Sequence, residues 1–158
     1  KYTQTLVGNP VLPARKEEIS WLYTRFEAAQ VIAATVPDDR GAQLEAAVML
    51  ANFGRNDEAV DRLEGLLRQH PNYRDAHIAL GDIHFYRENF DQASDCYGSA
   101  LTQSRTGQER SAMRLKLGEI DLSREDYAAA KIKFHEALQD DPELGASVEA
   151  LQKRTGYP

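Results

Sequence analysis

Apolar side chains recur every three or four positions in stretches of about 13 residues, and short polar interruptions separate these stretches. That spacing places the apolar residues on one face of an α-helix. The breaks fall at Gly54-Arg55-Asn56-Asp57, Arg87-Glu88-Asn89 and Ser123-Arg124-Glu125-Asp126, all rich in turn-forming residues. Pro71 and Pro142 mark longer boundaries, because proline lacks an N–H and cannot continue a helix. The pattern predicts helices over 15–35, 41–53, 57–69, 74–87, 90–103, 109–122, 126–139 and 143–154, with no sheet.

The two ends differ from the middle. Residues 1–14 hold Gly8, Pro10 and Pro13 and read as an extended lead-in. Helix 15–35 is expected to bury Ile19, Leu22, Phe26, Ala29 and Ile32, while Trp21 and Tyr23 fall off that face and hint at a second contact surface. Helix 143–155 should turn Leu144, Val148 and Leu151 inward, with Lys153 and Arg154 near its negative end.

The middle repeats itself. Segments 40–73, 74–107 and 111–144 align, with Ala59, Ala93 and Ala130 at matching places. The first two alanines are 34 apart and the third is 37 further on, the extra three residues fitting the turn at 105–108. Four residues after each alanine stands a bulky side chain (Leu63, Tyr97, Phe134), and three further on come Leu66, Ala100 and Ala137. The first halves match through Ala46–Ala47, Leu80–Gly81 and Leu117–Gly118. Small residues let paired helices approach closely, and the large one fills the adjoining gap.

This pattern resembles the tetratricopeptide repeat, a ~34-residue helix–turn–helix unit with W-x₂-L-G-x₂-Y…A-x₃-F…P. The second unit carries it as His77-x₂-Leu80-Gly81-x₂-His84, then Ala93-x₃-Tyr97-x₂-Ala100. The third has Leu117-Gly118, Ala130-x₃-Phe134, Ala137 and Pro142; the first keeps Gly54, Ala59 and Pro71. The resemblance implies an all-α fold, a right-handed superhelical array of antiparallel helix hairpins in one domain from residue 15 to 158. Pro37 lies 34 residues before Pro71, so 15–39 fits the second half of a degenerate repeat, and 143–155 reads as a capping helix.

The family implies a scaffold that binds a peptide or amphipathic helix of another protein, with no enzyme activity and no cofactor. Its groove is lined by the first helix of each hairpin. Carried over residue by residue, Leu44, Val48, Ala51 and Asn52 come from the first unit. Asp75, Ile78, Asp82, Phe85 and Tyr86 come from the second, and Leu115, Glu119, Leu122 and Ser123 from the third. Asp82 and Glu119 occupy equivalent places in adjacent repeats and should lie side by side, favouring a segment that bears Lys or Arg. One branch of the family grips a C-terminal carboxylate with Lys, Arg and Asn. The corresponding places here hold Leu44, Val48, Ala79 and Ala112, with only Lys116 basic.

Charge and composition narrow the partners. The net charge is −6 with no block of Lys and Arg, which disfavours nucleic acid and anionic membranes. No apolar run is long enough to span a bilayer. Cys96 is the only cysteine, so an intrachain disulfide is impossible. It should lie on the outer side of its helix, one residue before inward Tyr97, with no sequence neighbour to activate it. His70, His77 and His84 are spaced by seven, but His77 and His84 sit where the family places packing aromatics, so they read as core residues rather than metal ligands. The acidic pairs Asp38-Asp39, Asp57-Glu58 and Asp140-Asp141 read as helix-end residues, and no catalytic residue is assigned.

Two other expectations stand beside the groove. The terminal helices could serve self-assembly into homo-oligomers, and a first residue of Lys1 rather than Met fits a regulatory domain of a larger protein.

Overall fold

The computed structural model describes residues 16–155, apart from the side chains of residues 16–20, 22, 152, 154 and 155. The lead-in expected over 1–14 lies outside the described residues, as do the side chains of Ile19 and Leu22. Among the described residues eight α-helices follow one another: α1 (Lys16–Thr35), α2 (Arg40–Asn52), α3 (Asn56–Gln69), α4 (Arg74–Tyr86), α5 (Phe90–Thr102), α6 (Gly107–Ser123), α7 (Tyr127–Asp140) and α8 (Gly145–Thr155). No strand occurs among the described residues. Two starts depart from the sequence reading for visible reasons. Helix α6 begins early because Thr106 and Glu109 form a capping box. A 3₁₀ turn at Pro142–Leu144, with proline at its start, leads into α8.

Each helix packs on its neighbours in sequence, and α2 with α3, α4 with α5 and α6 with α7 form hairpins. The result is a helical solenoid. The core is a string of clusters rather than one centre. Ala47, Leu50, Leu63, Leu66, Leu80 and Ile83 join α2, α3 and α4. Tyr97, Met113, Leu117 and Ile120 join α5 to α6, while Ala130, Phe134 and Val148 join α7 to α8. Nearest-neighbour burial of this kind is what stabilises a repeat array.

The small residues do what their spacing suggests. Ala59, Ala93 and Ala130 are fully buried at the helix crossings. A Cβ on Gly81 would stand 2.6 Å from the Tyr97 ring, and one on Gly118 would stand 2.5 Å from the Phe134 ring. The hairpin turns share one backbone device. Gly54, Glu88 and Glu125, at matching repeat positions, have φ of 75°, 60° and 62°. The N–H after each reaches back five residues: Arg55 to Leu50 O, Asn89 to His84 O and Asp126 to Asp121 O. Only glycine adopts this left-handed region without cost, about 1–2 kcal/mol for other residues. Glu88→Gly and Glu125→Gly are therefore expected to gain stability, and Gly54→Glu to lose it. Part of each effect is offset by glycine's freedom in the unfolded chain, leaving about 0.5–1 kcal/mol in urea denaturation.

Two expected placements are corrected. Ile32 is 50 % exposed, because α1 turns Phe26, Ala29 and Ala33 toward Ala46 and Met49 of α2 and leaves Ile32 on its open flank. Cys96 does not face outward. It is partly buried against the α2–α4 core, beneath Gly81, because α5 is covered on that side as well as on the Tyr97 side.

Candidate functional site

The first helices α2, α4 and α6 form a row. Helices α2 and α4 touch directly, and Lys116 of α6 reaches Asp82 of α4 at 2.6 Å. On α2, Leu44 is half-buried on the first core cluster, Val48 and Asn52 are half-exposed, and Ala51 is buried. On α4, Asp75 is exposed beside Arg74 at 3.3 Å, and Ile78 packs partly onto the second cluster. Phe85 lies edge-on to both Tyr86 and Phe90, with ring centres 6.0 and 5.9 Å away. Tyr86 itself is 56 % exposed, so it is the aromatic most available to a ligand on this row. On α6, Leu115 and Leu122 rest against the α7–α8 cluster, Glu119 is half-buried and Ser123 is exposed.

The electrostatics differ from the reading of two uncompensated carboxylates. One oxygen of Asp82 accepts hydrogen bonds from the Tyr97 hydroxyl at 2.7 Å and from the Lys116 ammonium at 2.6 Å. Lys116 also lies 5.1 Å from the centre of the Tyr97 ring. Burial, followed by the bond to Asp82, pushes the Tyr97 phenol up from its usual range, so it donates as a neutral hydroxyl. Asp82 therefore has an internal cation, and the argument for a basic ligand loses its cause. The one basic residue at a carboxylate-clamp position is committed to the same contact. The sequence carries a signal for this triad: Tyr97 is the only one of the three bulky repeat residues with a hydroxyl to satisfy.

Residues 50–117 match the family model of the tetratricopeptide repeat. Over this stretch the chain carries tetratricopeptide repeats. No curated protein matches it. Repeats of this family generally mediate protein–protein interaction and are typically non-enzymatic scaffolds.

Within this helical array the histidines are placed by packing and turns. His77 Nε2 lies 2.8 Å from the Pro71 carbonyl, and His70 ends α3. His84 is buried with no hydrogen-bond partner at Nδ1. Among the described residues no group of three His, Cys, Asp or Glu side chains could hold a metal ion. Burial raises the Cys96 thiol to about 11, which disfavours the thiolate. The acidic pairs act at helix ends. Asp39 accepts from the N–H groups of Gly41 and Ala42, Glu58 pairs with Arg55, and Asp141 accepts from Glu143 N. No helix among the described residues is long and apolar enough to cross a membrane.

His84 makes stability depend on pH. Burial, then the nearby Arg87 charge, holds its folded pKa below the ordinary value, with Glu64 opposing. The unfolded chain thus binds the proton more readily, near pH ~6.5. The stability contributed by neutral His84 is present above that value and lost as pH falls through the folded pKa. In urea titrations at pH 7.5 and 5.5, His84→Phe is expected to lose less stability on acidification than the parent protein.

Proposed function

We propose that this protein is an interaction scaffold that holds an apolar or amphipathic segment of a partner polypeptide in the groove formed by α2, α4 and α6. The observation that carries the reading is Tyr86, an exposed aromatic seated on Phe85 at the centre of the row. Rigid aromatic anchors contribute most of the binding energy at such surfaces. Val48 and Asn52 continue the surface on one side, with Leu115, Glu119 and Leu122 on the other. Because Lys116 already compensates Asp82, selectivity comes from apolar complementarity rather than from an acidic pair. Binding, not chemistry, is the activity proposed.

Selection from a displayed random peptide library on immobilised protein tests this. Enriched peptides should carry spaced apolar residues and should bind Tyr86→Ala about 5- to 150-fold more weakly, which corresponds to about 1–3 kcal/mol. Peptides that bind Tyr86→Ala and Val48→Lys as tightly as the parent would place the ligand elsewhere and overturn the reading.

A further inference from the structure

The three hairpin turns differ at one buried place. Each is closed by the N–H that reaches back five residues, and the accepting carbonyls belong to Leu50, His84 and Asp121, all at 2.9 Å. These residues share one register, 34 and 37 apart like the repeat alanines. Leu50 is 3 % exposed and belongs to the α2–α4 core. The position is thus one for an apolar side chain, yet the second and third repeats place an imidazole and a carboxylate there. A polar group buried without a partner costs stability, so packing alone does not account for it.

His84 is 6 % exposed, and its buried Nδ1 has no hydrogen-bond partner. The charges that act on it are Arg87, three residues on, and Glu64 of α3. Helix α2 brings only apolar residues to this core, and α5 brings the Cys96 thiol, beside Gly81 one turn earlier. Asp121 is half-buried, with Lys133 of α7 and with Arg124 and Asp126 of its own turn as the charges around it. Helix α5 meets α6 through Ala93, Tyr97 and Ala100.

The two sites respond to acid with opposite signs. Burial disfavours the charged form of each group, so it weakens the hold of His84 on its proton and strengthens that of Asp121. An opened second hairpin binds the histidine proton more readily than the closed one, so opening becomes easier as pH falls below ~6.5. An opened third hairpin binds the Asp121 proton less readily than the closed one, so acid holds that hairpin shut. Leu50 gives the first hairpin no such response.

What moves with His84 is the aromatic group of the groove. The Arg87 N–H donates to the Ile83 and His84 carbonyls, the Glu88 N–H to Phe85 and the Asn89 N–H to His84. The last turn of α4 and the hairpin turn are therefore one hydrogen-bonded unit. Phe85 and Tyr86 lie inside it, and Phe90 follows it with its ring centre 5.9 Å from that of Phe85. A charged imidazole has to reach water, and the end of a helix is where local opening costs least.

We propose that His84 makes the array an acid-responsive scaffold, whose second hairpin turn opens on acidification and unseats Phe85 and Tyr86 while the third, with Asp121 in the same register, stays closed. Release of a groove ligand by acid rests on the function proposed above; the opening itself does not.

Solvent exchange of single amides in the full chain, followed by NMR at pH 7.5 and 5.5 and corrected for the intrinsic chemical rate, reads the opening directly. Protection of the Asn89 N–H should fall by up to roughly ten-fold, the ceiling for one histidine that titrates near ~6.5 in the open form. Protection of the Arg55 N–H should not change, and that of the Asp126 N–H should hold or rise. His84→Leu, which copies the residue at position 50, should abolish the Asn89 response, whereas Asp121→Leu should leave it intact. A C-terminally amidated library peptide free of His, Asp and Glu, selected on the parent at pH 7.5, should lose affinity in acid for the parent but not for His84→Leu. Unchanged Asn89 protection in the parent overturns the proposal, and so does a loss that persists in His84→Leu. An equal loss at Asn89, Arg55 and Asp126 marks global destabilisation and overturns it as well. If the amides respond as expected while no peptide binds in a Tyr86-dependent way, the groove reading fails and the hairpin switch stands.

Discussion

Gly118→Val is expected to destabilise the protein by about 3 kcal/mol, the upper end of ordinary overpacking penalties. At about 2–4 °C per kcal/mol for a domain of this size, the melting temperature should fall by about 6–12 °C. The cause is geometric. A Cβ at Gly118 alone would stand 2.5, 2.9 and 3.0 Å from three atoms of the Phe134 ring. The ring cannot withdraw, because Phe134 is 2 % exposed and packed among Ala130 and Val148. Valine adds two methyl groups to the collision, so α6 and α7 must move apart and the α7–α8 cluster opens with them. Helix propensity alone would predict the opposite sign, since glycine inside a helix is less favourable than most residues by up to about 1 kcal/mol. Gly98 provides the control: a Cβ there meets nothing within 4 Å, so Gly98→Ala should gain about 0.5–1 kcal/mol. Phe134→Leu should cost less in the Gly118→Val background than alone, because the smaller side chain gives back the space. Equal costs in both backgrounds would show that the two residues do not compete for one volume.

The close pairing of Gly118 with Phe134 was legible in the sequence because it is local and repeated. A small residue, a turn and a bulky residue recur in three registers, and each hairpin folds on itself within about 34 residues. Most helix ends were legible for the same reason, through Gly54, Asn89 and Pro142, whereas the Thr106 cap that starts α6 early was not. What could not be read was anything set by the superhelix between repeats. Lys116 meets Asp82 only because α6 lies beside α4, and no local pattern announces it. The placement of Cys96 is hidden from the sequence because facing away from the hairpin does not mean facing solvent. In a solenoid that side of α5 meets the preceding repeat. Ile32 failed the other way: its apolar character suggested burial, but α1 has cover on one side only.

Ion pairs between repeats form a second ladder of this kind. Arg87 in the second hairpin turn reaches Asp57 at the start of α3 at 2.7 Å, and Arg124 in the third turn pairs with Asp91 at the start of α5. The residues match in register, Arg87 with Arg124 and Asp57 with Asp91, so each turn is tied to the preceding repeat. Both aspartates are over nine-tenths exposed, and such pairs contribute at most about 1 kcal/mol. They orient the repeats more than they stabilise them.

Asp140 is the contrasting case, and Asp140→Ala is expected to cost about 3 kcal/mol. Its carboxylate is only 13 % exposed and is shared by two cations, Arg110 at 3.1 Å and Arg114. Arg114, 24 % exposed, also pairs with Glu136 at 3.2 Å, so the cluster joins the start of α6 to the end of α7. Truncating the aspartate removes two charge-assisted bonds. It leaves Arg114 partly desolvated with one carboxylate and Arg110 with none of its contacts to Asp140. Breaking one side of a buried pair costs more than the pair itself contributes, because the remaining charge is uncompensated. Two comparisons isolate that cause. Removing both sides, as in Asp140→Leu with Arg114→Met, should recover much of the loss, since apolar groups of similar volume need no partner. Glu58→Ala, which breaks the exposed pair with Arg55, should cost no more than about 1 kcal/mol and should lose that small effect in high salt. The Asp140→Ala penalty should persist in high salt. Equal and salt-sensitive costs at Asp140 and Glu58 in urea denaturation would mean that the α6–α7 cluster is solvated like the surface pairs.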